Sequence, residues 1–399
     1  MTDRERVLAT LHHREPDRVP VDLGGTESST MTGPAYISLK RHLGMKSGAR
    51  IFDPIQHVAL IEDAVRDRFT IATYPVVSEP ARWRPGRLPE GSPCELPEGW
   101  RTAFRPDGAE EAVDGEGRVY ARRAPSGQHF DSVNPPLAQV ERPADLDRHQ
   151  AAIARFDYPL YADESLDQLA ARARALRASQ RAAIFNFPAH LLAAGQSLRG
   201  FESFMADLML NQALAQALLE RLVEAYCRRA DEQLAVLDGL VDAVFCTDDL
   251  GTQQGPMLSP EIYRKLIKPR QARLFAHLKR RVPQLIFHSC GSVRWVIPDL
   301  IEIGVDALNP VQVSALGMDS AELKRDFGRD LAFWGGGCDT QRVLGRGTPA
   351  QVREEVKRRI GDLAPGGGFV FCQVHNIQPE VPPENVVAML EAAAELGAY

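Results

Sequence analysis

Gln284-Leu285-Ile286-Phe287-His288-Ser289-Cys290-Gly291 leads directly into a helical pattern over 293–303. A short apolar run followed at once by helical periodicity reads as one strand–helix unit. At the end of that strand His288 and Cys290 stand two residues apart, hence on one side of an extended backbone. Imidazole and thiolate both suit zinc. Two ligands do not make a site, so the rest of the chain must supply a third ligand and a pocket.

Outward from this unit the same rhythm repeats. Upstream stand the strand candidates Ala182-Ala183-Ile184-Phe185-Asn186-Phe187, with a long helical block over 201–237, and Val241-Asp242-Ala243-Val244-Phe245-Cys246, with a helix over 260–280. Downstream come Val305-Asp306-Ala307-Leu308-Asn309, Leu331-Ala332-Phe333-Trp334 and Gly368-Phe369-Val370-Phe371-Cys372, with helices at 319–327, 349–361 and 383–396. Near the start, Val19-Pro20-Val21-Asp22-Leu23 and Phe69-Thr70-Ile71-Ala72-Thr73-Tyr74 supply two more strands, with helices expected at 3–13, 34–44 and 51–67. Strict alternation requires parallel strands with right-handed crossovers. Eight such units predict an α/β protein, a single (β/α)8 TIM barrel over 1–399. A doubly wound open sheet is the alternative, but no Gly-x-Gly-x-x-Gly follows the first strand.

One region breaks the rhythm. From about 80 to 125, Pro, Gly and charged residues are dense, and Pro106-Asp107-Gly108 and Asp114-Gly115-Glu116-Gly117 flank short alternating runs. This is a β-hairpin insertion after the second strand, serving either as a cover over a pocket or as an idle surface excursion. A helix is expected near 162–178, beyond a Pro-rich loop.

Bulk properties narrow the function classes. The 399 residues carry a net charge of −6, against a general nucleic-acid surface. Six cysteines in so long a chain form no dense disulfide framework. The charged start Met1-Thr2-Asp3-Arg4-Glu5-Arg6 lacks a signal core, and no apolar run is long enough for a membrane span. A cytoplasmic protein with reduced thiols is expected.

In a barrel, function collects where the strands end. Those ends carry Asp22 with the 24–29 loop, Asn186, Asp248-Asp249, His288 and Cys290, Asn309, Cys338 within Gly335-Gly336-Gly337-Cys338-Asp339, and His375-Asn376. Cys338 lies in a glycine-rich loop and is either a ligand or a bystander. Cys227, Cys246 and Cys372 read as packing residues. Asp248 and Asp249 either cap a turn or orient a substrate or base.

Thr247-Asp248-Asp249-Leu250-Gly251, Ser259-Pro260-Glu261-Ile262-Tyr263, His288-Ser289-Cys290-Gly291, Gly336-Gly337-Cys338-Asp339-Thr340-Gln341 and His375-Asn376-Ile377-Gln378-Pro379 together resemble the uroporphyrinogen decarboxylase superfamily. The resemblance is strongest over 180–397. It implies a (β/α)8 barrel and one of two chemistries: cofactor-free decarboxylation of a carboxylate-rich tetrapyrrole, or zinc-dependent methyl transfer with a corrinoid protein. The decarboxylases use arginines after the first strand and an aspartate after the second. Here those places read Asp22-Leu23-Gly24-Gly25-Thr26-Glu27 and Pro75-Val76-Val77-Ser78. Carboxylates where a polyanion needs cations repel it.

The resemblance therefore points to the methyltransferase-like branch, with His288, Cys290 and His375 as zinc ligands, and Cys338, then Cys372, in reserve. His375 is a residue that the decarboxylases also carry, and so does not separate the branches. The expected function is methyl transfer between a small O-, N- or S-methyl donor and a thiol or a corrinoid carried by a separate protein, since no Asp-x-His-x-x-Gly segment occurs here. His375 and Asp249 are the catalytic candidates; Asp248, Asn186, Asn309 and Glu27 are the substrate-binding ones. A metal-independent decarboxylase-type lyase using His375 as proton donor is the alternative, and a binding protein without turnover a third. A homodimer stays open.

Overall fold

The structure, a computed structural model, describes residues 1–156 and 162–399. Its centre is a curled sheet of seven parallel strands in the spatial order Phe369–Val370, Ala332–Trp334, Ala307–Asn309, Leu285–His288, Ala243–Thr247, Ala182–Asn186, Thr73–Val76. Sequence order and spatial order coincide, the singly wound order of a barrel rather than the reversing order of a doubly wound sheet. The sheet is TIM-barrel-like, and its two edges meet through one residue. Val21 bridges in parallel to both Ile71 and Phe371, with Ala72 N–H donating to Val21 O (2.7 Å) and Asp22 N–H to Phe371 O (2.8 Å).

Alternation along each strand sorts the core into two layers. Ala182, Ile184, Ala243, Phe245, Ile286, Ala307, Ala332 and Trp334 fill the inside of the curl. Their neighbours of opposite parity pack against the surrounding helices in a second, larger cluster that includes Ala183, Val244, Leu285 and Leu308. The helix Asp3–Leu11, started by a Thr2–Glu5 capping box, sends Val7 and Leu11 into the inner layer. Arg4 N–H donates to Gln180 O, and its Nε meets Asp242 at 2.9 Å. Both partners precede strands, so this helix plugs the end of the curl where the strands begin.

Two local expectations give way. The helix expected over 51–67 is two strands, Arg50–Asp53 and Val58–Leu60, then a short helix, Asp63–Arg68. The spacing of Ile51, Ile55 and Ala59 imitates a helical stripe. Pro54, however, pushes Asp53 toward extended backbone, and Ile51 and Ala59 instead face each other across an antiparallel pair. The 201–237 block is two helices, Phe201–Leu210 and Gln212–Val236, preceded by a third, Leu191–Arg199. Gly200, at φ 90°, makes the corner between Leu191–Arg199 and Phe201–Leu210.

The region between the second strand and 150 is larger than one or two hairpins. Trp83–Arg87 and Pro93–Pro97 pair antiparallel and join the 50–60 strands in a five-stranded sheet. Thr102–Phe104, Glu110–Val113, Val119–Arg123 and Asp131–Ser132 form a four-stranded antiparallel sheet around a small core of Trp100, Ala112, Ala121 and Phe130. No helix is long and apolar enough to cross a membrane among the described residues.

Candidate metal centre

The inward parity that places Ile184, Phe245, Ile286 and Ala307 in the apolar interior places Asn186, Thr247, His288 and Asn309 one layer higher. Chemistry thus begins where the apolar layer ends. In register, Thr247 pairs with His288 and His288 with Asn309.

His288, Cys290 and His375 converge there. One ligand atom from each lies within 4.8 Å of the others, and among the described residues no other group of His, Cys, Asp and Glu does this. Cys290 Sγ stands 3.4 Å from His288 Nε2. Zinc bonds of about 2.0–2.3 Å in a tetrahedron set ligand atoms about 3.5 Å apart, so the donor set fits zinc in type and spacing. Asn309 completes the fit: its Oδ1 lies 2.7 Å from His288 Nδ1, while its own Nδ2 donates to Trp334 O (3.0 Å). With the amide so oriented, Nδ1 carries the hydrogen and Nε2 turns its lone pair to the cluster.

Burial sets the protonation states. It pushes His375 down to about 4, with His288 beside it adding to the shift. It lowers His288 as well. Both rings are then neutral at pH 7, the form that ligates a metal. Burial raises the Cys290 thiol well above its usual range, and the Asp249 carboxylate raises it further. A dication is what would reverse that shift. Asp249 accepts from Cys290 N–H (2.8 Å) and stands 3.9 Å from His288 Nε2. The turn after Cys290 depends on Gly291, at φ 90°, where a Cβ would fall 2.6 Å from the Gly251 backbone.

The other candidates fall into place around this cluster. A cavity of about 780 Å³ reaches His288 and His375 and is also lined by Glu27, Asn186, Asp248 and Asp249. Asn186 holds the loop above it, accepting from Glu27 N–H (2.8 Å) and donating to Gly25 O (3.0 Å). Asn376 supports the same loop through Thr30 N–H and Glu27 O. Asp248 is buried and caps the Leu191–Arg199 helix, accepting from the N–H groups of Leu191, Leu192 and Ala193 at 2.8–3.1 Å. Burial pushes its carboxyl up to about 6 against those amides. Asn309 sits behind His288, outside the cavity lining. Cys338 is fully buried and lies outside the three-residue cluster, packed in the larger core. Cys372 belongs to the apolar interior, and Cys246 to the outer core.

Sequence reasoning missed His190 and named no residue of the far wall, although it left the 80–125 insertion as either a cover over a pocket or an idle excursion. His190 lines the cavity with Nδ1 2.5 Å from Thr247 Oγ1; its position four residues past Asn186 at a strand end was the available signal. Asp53, from the five-stranded sheet, and Asp114, Tyr120 and Phe130, in or beside the four-stranded antiparallel sheet, line the same space. The region between the second strand and 150 therefore walls the cavity.

A TIM-barrel-like α/β fold with a His–Cys–His donor set at its strand ends defines the class. The family model for uroporphyrinogen decarboxylase (URO-D) matches residues 138–396, and the chain belongs to that family. Uroporphyrinogen decarboxylases of Saccharophagus degradans and Pseudomonas fluorescens are 26% and 28% identical to it over 209 residues, 51% of this chain. The chain spans about half the length of these curated relatives, 54% in both cases. Among solved structures, a methyltransferase from Methanosarcina mazei matches over 99% of both chains with a TM-score of 0.61 and 17% identity, a likeness of fold.

Proposed function

We propose that this chain is a zinc-dependent methyltransferase on one barrel over 1–399, its eighth strand the 19–23 segment. It would move a methyl group between a small methylated donor and a thiol or a corrinoid held by a separate protein. The observation that carries this reading is the His288–Cys290–His375 set, whose two histidines line a cavity. Charge in that cavity supports it. Among the described residues the lining carries five Asp and Glu residues and one arginine, Arg155, a poor receptor for a carboxylate-rich tetrapyrrole. The fold shared with the Methanosarcina methyltransferase accords with it.

Zinc, when bound by His288, Cys290 and His375, supplies a Lewis-acidic position that favours a thiolate or a polarised heteroatom. The chain's own groups do the rest. Asn309 fixes the His288 ring, Asp249 holds the Cys290 backbone, and residues of the two smaller sheets wall the cavity. The lyase alternative needs His375 as a proton donor, and burial keeps that ring unprotonated at pH 7.

Metal analysis tests the proposal. Purified protein is expected to hold one zinc per chain and to lose it in the double variant His288→Ala, Cys290→Ala. Absence of zinc from the wild type, or its retention in the folded double variant, would overturn the reading. Transfer of a labelled methyl group to a thiol or to added corrinoid protein is the matching activity measurement.

A further inference from the structure

Three successive amides beside the Cys290 sulfur are each taken by a different acceptor. Cys290 N–H donates to Asp249 Oδ1 (2.8 Å), Gly291 N–H to Gln312 Oε1 (2.6 Å) and Ser292 N–H to Thr252 O (2.7 Å). Asp249 and Thr252 follow the Ala243–Thr247 strand and Gln312 follows Ala307–Asn309, so the turn after Cys290 is gripped from both neighbouring strands. Gly291 makes the grip possible, because a Cβ there would fall 2.6 Å from Thr252 O, the acceptor for Ser292. Gln312 is buried, and the bond fixes its orientation, since only the amide oxygen can accept from Gly291 N–H. It stands outside both the cavity lining and the three-residue cluster.

The consequence falls on the sulfur. An amide that donates to a metal-bound thiolate draws charge off it and weakens it as a ligand. Here the nearby amides are engaged elsewhere. Among the described residues the one hydrogen-bonding contact of Cys290 Sγ is His288 Nε2, at 3.4 Å, and that nitrogen turns a lone pair to the cluster. We infer that Gln312 is a positioning residue: by holding Gly291 N–H away from Cys290 Sγ it preserves the donor strength of the thiolate toward a bound metal. This assignment rests on the metal centre proposed above. Asp249 and Thr252 treat the flanking amides alike, but Thr252 acts through its backbone and Asp249 lines the cavity. Gln312 is therefore the member that a substitution isolates.

Cobalt(II) and cadmium report on the sulfur without any substrate. In Gln312→Ala the buried Gly291 amide loses its acceptor, and the thiolate becomes the strongest acceptor in reach. The sulfur-to-cobalt charge-transfer band of the cobalt-loaded variant is expected to move to higher energy, and zinc affinity to fall about tenfold. Gln312→Glu keeps an acceptor oxygen and should show no such upward shift. A merely structural role would weaken both variants and leave the band where it was. Wild-type protein loaded with spin-half cadmium gives a second reading, since an N–H···S bond couples the amide proton to the metal. No coupling is expected from Gly291 or Ser292. If Gln312→Ala does not fold, that measurement decides alone. An unmoved band in folded Gln312→Ala, or a cadmium coupling from either amide, overturns the inference and leaves the metal centre standing. Failure of the wild type to bind cobalt or cadmium removes both.

Discussion

Asn309 shows how much of the candidate centre lies behind its proposed ligands. Its side chain takes the His288 Nδ1–H and is itself held by Trp334 O, so one amide orients one ring. Asn309→Ala is expected to weaken zinc binding about 10- to 100-fold while leaving the fold intact, measurable by chelator competition. Protonation makes a second prediction. His375 has a folded pKa of about 4, below its ordinary 6.5. The unfolded chain therefore binds the proton first as pH falls. For metal-free protein this costs stability progressively from about pH 6.5 to pH 4, a loss on the order of 3 kcal/mol that is absent above 6.5. Urea unfolding midpoints between pH 7 and pH 4.5 should fall accordingly, and fall less in His375→Gln. The ligands and their support differ in how they appear in sequence. His288 and Cys290 announce each other by spacing, and His375 by its place after a strand. Asn309 orients His288 only because the two strands pair in that register, which no single segment encodes.

At the scale of elements, Asp248 explains why a helix that the sequence reading omitted is there. The Leu191–Arg199 helix has no side-chain cap of its own; three of its first amides point at Asp248, 55 or more residues away. Asp248→Ala leaves those amides buried without a partner. A loss of about 2–3 kcal/mol is expected, read as a lower thermal midpoint, with Asp248→Asn milder because one acceptor oxygen remains. The alternation from residue 182 onward was legible because buried parallel strands are apolar throughout and helices follow them closely. Residues 50–60 were misread because apolar spacing in a short segment serves either structure until pairing partners are known. The two smaller sheets were visible as a β-hairpin insertion at 80–125, from turn signals and short alternating runs, but their extent and pairing were not. That Asp53 and Asp114 face the same cavity as His288 follows from long-range folding and leaves no trace in local pattern.

Across the whole molecule, the curl is fastened where Val21 joins its edges, and Asp22 is the fastening. Fully buried, it accepts from Gly25 N–H (2.7 Å) and Thr73 Oγ1 (2.6 Å) on one side and Trp334 Nε1 (2.7 Å) on the other. Asp22→Ala strands these three donors in the interior, and a destabilisation of about 3–5 kcal/mol is expected in denaturant unfolding. The eight-unit rhythm anticipated such a closure, but the 19–23 segment contributes a single bridge at each edge rather than a long ladder. The opposite end of the curl has a practical bearing. Because Val7 and Leu11 fill the face from which the strands start, the mouth that reaches His288 opens at the other pole. A biosensor surface coupled through a linker ahead of Asp3 would therefore hold the molecule upright. Small ligands and a docking protein could then be followed on one chip, whereas coupling through lysines at random would blind part of the population.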